Sequence, residues 1–108
     1  MLASTLDKKK FENICIIDTN SKIGSKIKVS GGAKCNITNE LVTCNNYLGD
    51  REFVKELLEK FSKNELLAFL NKNGVFPKIN PKIVKGTYFC DSSQDVIDMF
   101  TKLTTHVK

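Results

Sequence analysis

Residues 21–39 read SKIGSKIKVSGGAKCNITN, and no other part of the chain carries as much chemistry. At the centre lies Ser30-Gly31-Gly32-Ala33, small residues whose backbone N–H groups can approach an anion closely, with Lys34 next to add positive charge. Gly24 and Lys26 come before it, and Cys35, Asn36, Thr38 and Asn39 come after. Upstream, Asn13-Ile14-Cys15-Ile16-Ile17-Asp18 is a short apolar run closed by a carboxylate. An apolar strand, an acid at its end and then a basic, glycine-bearing loop is a common way to hold an adenine dinucleotide.

Residues 20–39 resemble one segment of the flavoprotein oxidoreductases of the BaiN/YhiN type. In that family the second strand ends in an acid, usually Glu, and is followed by a stretch close to N-x-K-x-G-R-K-hydrophobic-x-x-S-G-G-G-R-C-N-x-T-N. This chain offers Asn20-Ser21-Lys22-Ile23-Gly24-Ser25-Lys26-Ile27-Lys28-Val29-Ser30-Gly31-Gly32-Ala33-Lys34-Cys35-Asn36-Ile37-Thr38-Asn39. Three departures stand out: Ser25 for Arg, Ala33 for the third Gly, and Lys34 for Arg. The last exchanges a planar, forked donor for a point charge. More weakly, Lys85-Gly86-Thr87-Tyr88-Phe89-Cys90-Asp91-Ser92 stands where the family has G-R-V-F-P-x-S, with Thr87 for Arg and Cys90 for Pro.

The resemblance implies an α/β fold: a partial FAD-binding, Rossmann-like domain with a helical hairpin, a short β-hairpin and a C-terminal helix. Residues 1–47 would form the FAD-binding segment and residues 48–108 its continuation. It implies FAD as cofactor, with NAD(P)H as electron donor, and reduction of a conjugated double bond in a small molecule or an RNA base. The implied cofactor-binding residues are Asp18, Lys26, Ser30, Gly31, Gly32, Ala33, Lys34, Cys35 and Asn36. No catalytic residue is assigned, because the flavin carries the chemistry and protein groups position and tune it.

A dinucleotide-binding domain normally opens with a strand running into G-x-G-x-x-G at a helix N-terminus, where the pyrophosphate sits. The 108 residues contain no such motif. The expectation is a chain incomplete at both ends, whose partners are the remaining parts of the same flavoprotein, encoded in adjacent reading frames. Without a first strand beside it, the strand around Ile14–Ile17 would have an open edge, an aggregation hazard. The isolated chain is therefore expected to bind flavin weakly or not at all.

Composition narrows the alternatives. Hydrophobic content of 41% and charged content of 27% describe one small globular domain, not a disordered segment. The formal charge is +5, from 17 basic and 12 acidic residues, and all the basic residues but Arg51 are lysines. That excess permits an anionic partner, but nucleic-acid readers more often cluster arginine with aromatics. A small basic RNA-binding protein is therefore the third reading, behind the flavoprotein and a non-catalytic interaction module. Cys15, Cys35, Cys44 and Cys90 form no C-x-x-C pair, and the lone His106 lies in the tail, which argues against a metal site. The sole histidine also excludes a Ser/His/Asp or Cys/His catalytic set. No secretory leader or membrane-length apolar run is visible, so free thiols point to the cytoplasm.

Periodicity supplies the coarse structure. Met1 to Leu6 is helix-compatible, and Phe11 is expected to pack just ahead of the strand. Ile14 to Ile17 reads as a strand buried on both faces. Lys26 to Val29 reads as a second short strand or an extended loop edge, and residues 36–46 as turns and caps. Asp50 can cap a helix with Phe53, Leu57, Leu58 and Phe61 on one face, these leucines and phenylalanines being assigned to the core. Ser62-Lys63-Asn64-Glu65 is a capping-box pattern that starts a second helix, and Gly74 is a natural terminator. Pro77 and Pro81 enforce an extended connection. Ile83-Val84 and Thr87 to Cys90 are expected to pair across Lys85-Gly86. Asp91 or Ser92 can cap a last helix carrying Val96, Ile97, Phe100 and Leu103.

Each candidate has a plainer alternative. Asp18 can simply end a strand, residues 30–33 can form a surface turn, and Lys34 can be a solvated lysine. Cys35, with no partner thiol near it in sequence, is a small buried residue packing the loop. Asn36 can cap the loop instead of touching a cofactor.

Overall fold

The structure, a computed structural model, describes residues 1–82 and 85–108. They fall into two compact units, Met1–Cys35 with Ser92–Lys108, and Asn36–Asp91. Ile83 and Val84, and with them the hairpin expected to start there, lie outside the described residues.

The first unit contains α1 (Leu2–Thr5), α2 (Ser25–Val29) and α5 (Ser93–Leu103). α2 packs on α5. Residues 26–29, expected to be extended, belong to helix α2 instead. Gly24 makes the entry: its φ of 80° turns the chain, and Ser25 Oγ donates to the Lys22 carbonyl at 2.8 Å. A Cβ at Gly24 would lie 3.0 Å from Ile97 Cγ1, so glycine also permits the close approach of α2 to α5. On α5, Val96 and Met99 are buried, and the Ser92 hydroxyl caps the helix by accepting from the Gln94 N–H at 3.1 Å.

Residues 14–17 also depart from expectation. They are not a strand buried on both faces: Ile17 is 93% and Ile16 44% exposed. Among the described residues their backbone pairs with Lys108 alone, Ile16 N–H to the Lys108 carbonyl at 2.8 Å and Lys108 N–H to the Ile14 carbonyl at 3.0 Å. A strand in a parallel sheet needs neighbours on both edges and helices on both faces. Among the described residues none lies on the second edge. Phe11, also exposed, carries the Lys10 ammonium 5.8 Å from its ring centre.

The second unit contains a 3₁₀ turn (Cys44–Asn46), helices α3 (Arg51–Lys60) and α4 (Lys63–Lys72), and strands β1 (Asn36–Asn39), β2 (Lys78–Ile79) and β3 (Thr87–Phe89). The strands form an antiparallel sheet in the order β1-β3-β2. Asn36 faces Phe89, Thr38 faces Tyr88 and Asn39 faces Thr87, with an irregularity between Asn36 and Thr38. Residues 36–39 are therefore a strand and not the turn their asparagines suggested. Asn39 gains partners that only the fold supplies: its Nδ2 donates to the Lys85 carbonyl at 3.1 Å and to Thr87 Oγ1 at 3.2 Å. Lys78 and Ile79 pair with Phe89 and Tyr88 between the two prolines.

The helical hairpin forms with the expected caps. Asp50 accepts from Phe53 N–H at 3.1 Å. Ser62 and Glu65 exchange bonds, Ser62 N–H to Glu65 Oε2 at 2.6 Å and Glu65 N–H to Ser62 Oγ at 3.3 Å. Gly74, at φ 83°, ends α4 in a Schellman motif, with Val75 N–H on the Leu70 carbonyl and Gly74 N–H on the Asn71 carbonyl. Leu70, Val75, Phe89 and Cys90 are buried in this unit. The apolar face of α3 is not part of that core: Phe53 is 60% exposed, and Leu57 and Phe61 are exposed too. Periodicity put one stripe on α3, but the described residues cover little of it.

Candidate functional site

The segment from Ser30 to Cys35 is a tight, left-handed turn. Ser30 leaves α2 in an extended conformation. Gly31 (φ 58°), Gly32 (φ 64°) and Ala33 (φ 69°) then follow one another in the left-handed region, and Cys35 (φ 54°) returns to it. The two glycines take this conformation without steric cost, whereas Ala33 and Cys35 bear it as strain. Two backbone bonds close the turn, Cys35 N–H to the Ser30 carbonyl at 2.9 Å and Lys34 N–H to the Gly31 carbonyl at 3.3 Å.

The N–H groups of Gly31, Gly32 and Ala33 are left over. Among the described residues they have no acceptor. Successive free N–H groups in such a turn create a concave patch of positive potential that suits an anionic oxygen. Gly32, Ala33 and Lys34 are exposed, and a Cβ built on Gly32 meets nothing within 4 Å, so the turn is open to a ligand. Lys26 and Lys28 in α2 and Lys34 in the turn form no ion pair among the described residues, so their charge is uncompensated locally.

The turn is held from α5. Ser93 N–H donates to the Ala33 carbonyl at 2.8 Å, and Ser93 Oγ donates to the Lys28 carbonyl at 3.0 Å. The sequence reading missed Ser93. Its one signal was the Ser92-Ser93 pair at a helix start, of which only one hydroxyl is needed as the cap.

The other candidates stand apart in chemistry. Cys35 is buried, and burial pushes its thiol pKa up, so it stays protonated at neutral pH. Asp18 is exposed, and its Oδ1 accepts from Asn20 N–H at 2.9 Å and Asn20 Nδ2 at 2.8 Å. The Asn20 N–H, and after it the Asn20 side chain, holds the Asp18 carboxyl below its ordinary pKa. Asn36 opens β1 and belongs to the second unit. Ser30 to Cys35 thus come together in one turn with Lys26 and Lys28 on the helix leading into it.

A flavin dinucleotide presents pyrophosphate oxygens, ring carbonyls and a ribose, and free N–H donors beside lysines match the first two. Among the described residues no three His, Cys, Asp or Glu side chains gather where they could hold a metal ion. No helix among them is long and apolar enough to cross a membrane.

The family model of the HI0933-like protein Rossmann domain matches residues 1–108. The chain is 35% identical over 101 residues to a ribosomal RNA dihydrouridine synthase of Escherichia coli, covering 92% of this chain and 24% of that protein. It is 36% identical over 66 residues to a 3-dehydro-bile acid delta(4,6)-reductase of Clostridium scindens, covering 60% of this chain and 16% of that protein. A ribosomal RNA dihydrouridine synthase of Haemophilus influenzae is 31% identical over 90 residues, covering 82% of this chain and 22% of that protein. The chain therefore spans less than a quarter of the length of these relatives.

Proposed function

Because the chain belongs to the HI0933-like Rossmann-domain family of flavin-dependent oxidoreductases, we propose that residues 30–35 are its contribution to an FAD site. The observation that carries this reading is that, among the described residues, the N–H groups of Gly31, Gly32 and Ala33 have no acceptor, in a turn whose Gly32 faces open space. These donors would bind and orient an anionic oxygen of the dinucleotide, and Lys34 would add charge beside it. Buried, protonated Cys35 packs the base of the turn and takes no part in electron transfer. Asp18 is the candidate acceptor for the ribose hydroxyls, once Asn20 releases its carboxylate.

Bound flavin supplies two-electron chemistry, passing the electrons of reduced nicotinamide to a conjugated double bond. We assign that reaction to the whole protein, with NAD(P)H as donor. The relatives' names, a bile-acid reductase and two dihydrouridine synthases, both describe saturation of a carbon–carbon double bond. They differ in substrate, so a steroid-like enone and an RNA base stand equally. A titration of FAD into the isotopically labelled chain tests the site. The amide signals of residues 31–34 should move first and saturate together. Because the chain is a part of the site, the titration runs to millimolar FAD, and movement confined to residues outside 31–34 would overturn the assignment.

A second reading, an association module that does not itself hold flavin, is favoured by one observation. Phe53, Leu57 and Phe61 line α3 with their side chains exposed, a face of the kind a partner polypeptide covers. Under that reading the partner is the remainder of a family-length flavoprotein. Sedimentation of the chain with that remainder should then show a complex that Phe53→Ser abolishes, with no response to FAD.

A further inference from the structure

We propose that Ser93 is the positioning residue of the turn at 30–35, a role that rests on the reading of that turn as a dinucleotide cradle. Ser93 is the first helical residue of α5, so its N–H is one of the donors that a helix leaves without an internal partner. Lys28 lies in the last turn of α2, where carbonyls are likewise left over. One residue, 3% exposed, satisfies both ends: its N–H binds the Ala33 carbonyl at 2.8 Å and its Oγ binds the Lys28 carbonyl at 3.0 Å. The turn between those carbonyls is therefore pinned at entry and exit. With the Ala33 carbonyl held by α5, the N–H groups of Gly31, Gly32 and Ala33 have no acceptor among the described residues.

The strain at Ala33 gives the pinning a purpose. A non-glycine residue at φ 69° persists only where its surroundings over-determine it. The neighbouring serine has a different task, since Ser92 Oγ accepts from Gln94 N–H and caps α5 without touching the turn. Two adjacent serines thus divide the work: Ser92 starts the helix, and Ser93 shapes the cradle.

The test compares Ser93→Ala with Ser92→Ala in the labelled chain, reading thermal midpoint, the amide signals of residues 31–34 and the FAD dissociation constant. Both variants should lower the midpoint. Only Ser93→Ala, which loses the Oγ bond to the Lys28 carbonyl and keeps the Ser93 N–H, should shift the turn's amides, and it should weaken FAD by up to about fivefold, the most that losing one ordinary internal hydrogen bond can take from the turn's preorganisation. Turn signals and affinity equal in the two variants would overturn the proposal, as would shifted signals with unchanged affinity. If Ser93→Ala does not fold, the through-hydrogen-bond coupling between the Ser93 nitrogen and the Ala33 carbonyl carbon in the unaltered chain decides, its absence refuting the pin. If the unaltered chain shows no FAD response at the turn, the cradle reading falls first and this proposal with it.

Discussion

Ala33→Gly should stabilise the protein, an unusual direction for replacing alanine by glycine. Ala33 sits at φ 69°, where an L-residue's Cβ crowds the following carbonyl at a cost of about 1–2 kcal/mol. Glycine removes that cost but gives the unfolded chain more freedom, a loss of about 0.4–1 kcal/mol. The methyl group is exposed, so little packing is lost. The balance is a gain of about 0.5–1 kcal/mol. Equilibrium urea denaturation measures it directly, as a higher midpoint at unchanged slope. The same substitution restores the third glycine of the pattern that the sequence resembles, so FAD affinity should hold or rise. A lower midpoint would refute the reasoning, because it would mean that Ala33 does not occupy a left-handed conformation in solution.

Gly24→Ala should destabilise more than Gly32→Ala, although both have positive φ, because only the first Cβ meets a neighbour, Ile97 Cγ1 at 3.0 Å. The difference in urea midpoints should shrink in an Ile97→Ala background. Leu70→Ala, at a side chain 2% exposed, should cost about 2–5 kcal/mol in the same assay. Glu65's carboxyl is held below its ordinary pKa by the Ser62 N–H and then by the Ser62 hydroxyl. Its contribution is therefore complete above the unfolded carboxylate's pKa and fades as pH falls through the lower folded value. Stability measured between about pH 6 and about pH 3 should lose less on acidification in Glu65→Gln than in the unaltered chain. Maleimide should label exposed Cys15 well before buried Cys35 and Cys90, and early labelling of Cys35 in mass spectrometry would refute its burial beneath the turn.

Helix ends were legible because they are written in adjacent residues. Asp50, the Ser62/Glu65 box and Gly74 each act within a few positions, and all three form the bonds their types and spacing dictate. The strand at 14–17 and the helix at 25–29 were misread for the opposite reason. A strand depends on neighbours brought from elsewhere, and among the described residues the backbone of Ile14–Ile17 pairs with Lys108 alone. Five residues alternating Ser, Lys, Ile, Lys, Val have no helical period to display, and it is Gly24 against Ile97 that lets them coil onto α5.

The candidate site divides along the same line. The small residues at 30–33 with Lys34 after them, and the resemblance they carry, came from sequence order alone, as did the flavoprotein family. That three N–H groups find no acceptor among the described residues, that Ala33 is strained, and that Ser93 bonds both ends of the turn were decided by the tertiary structure. Residue types are local facts, but the direction of a carbonyl depends on which distant donor claims it. Here that donor sits sixty residues further along the chain, on α5.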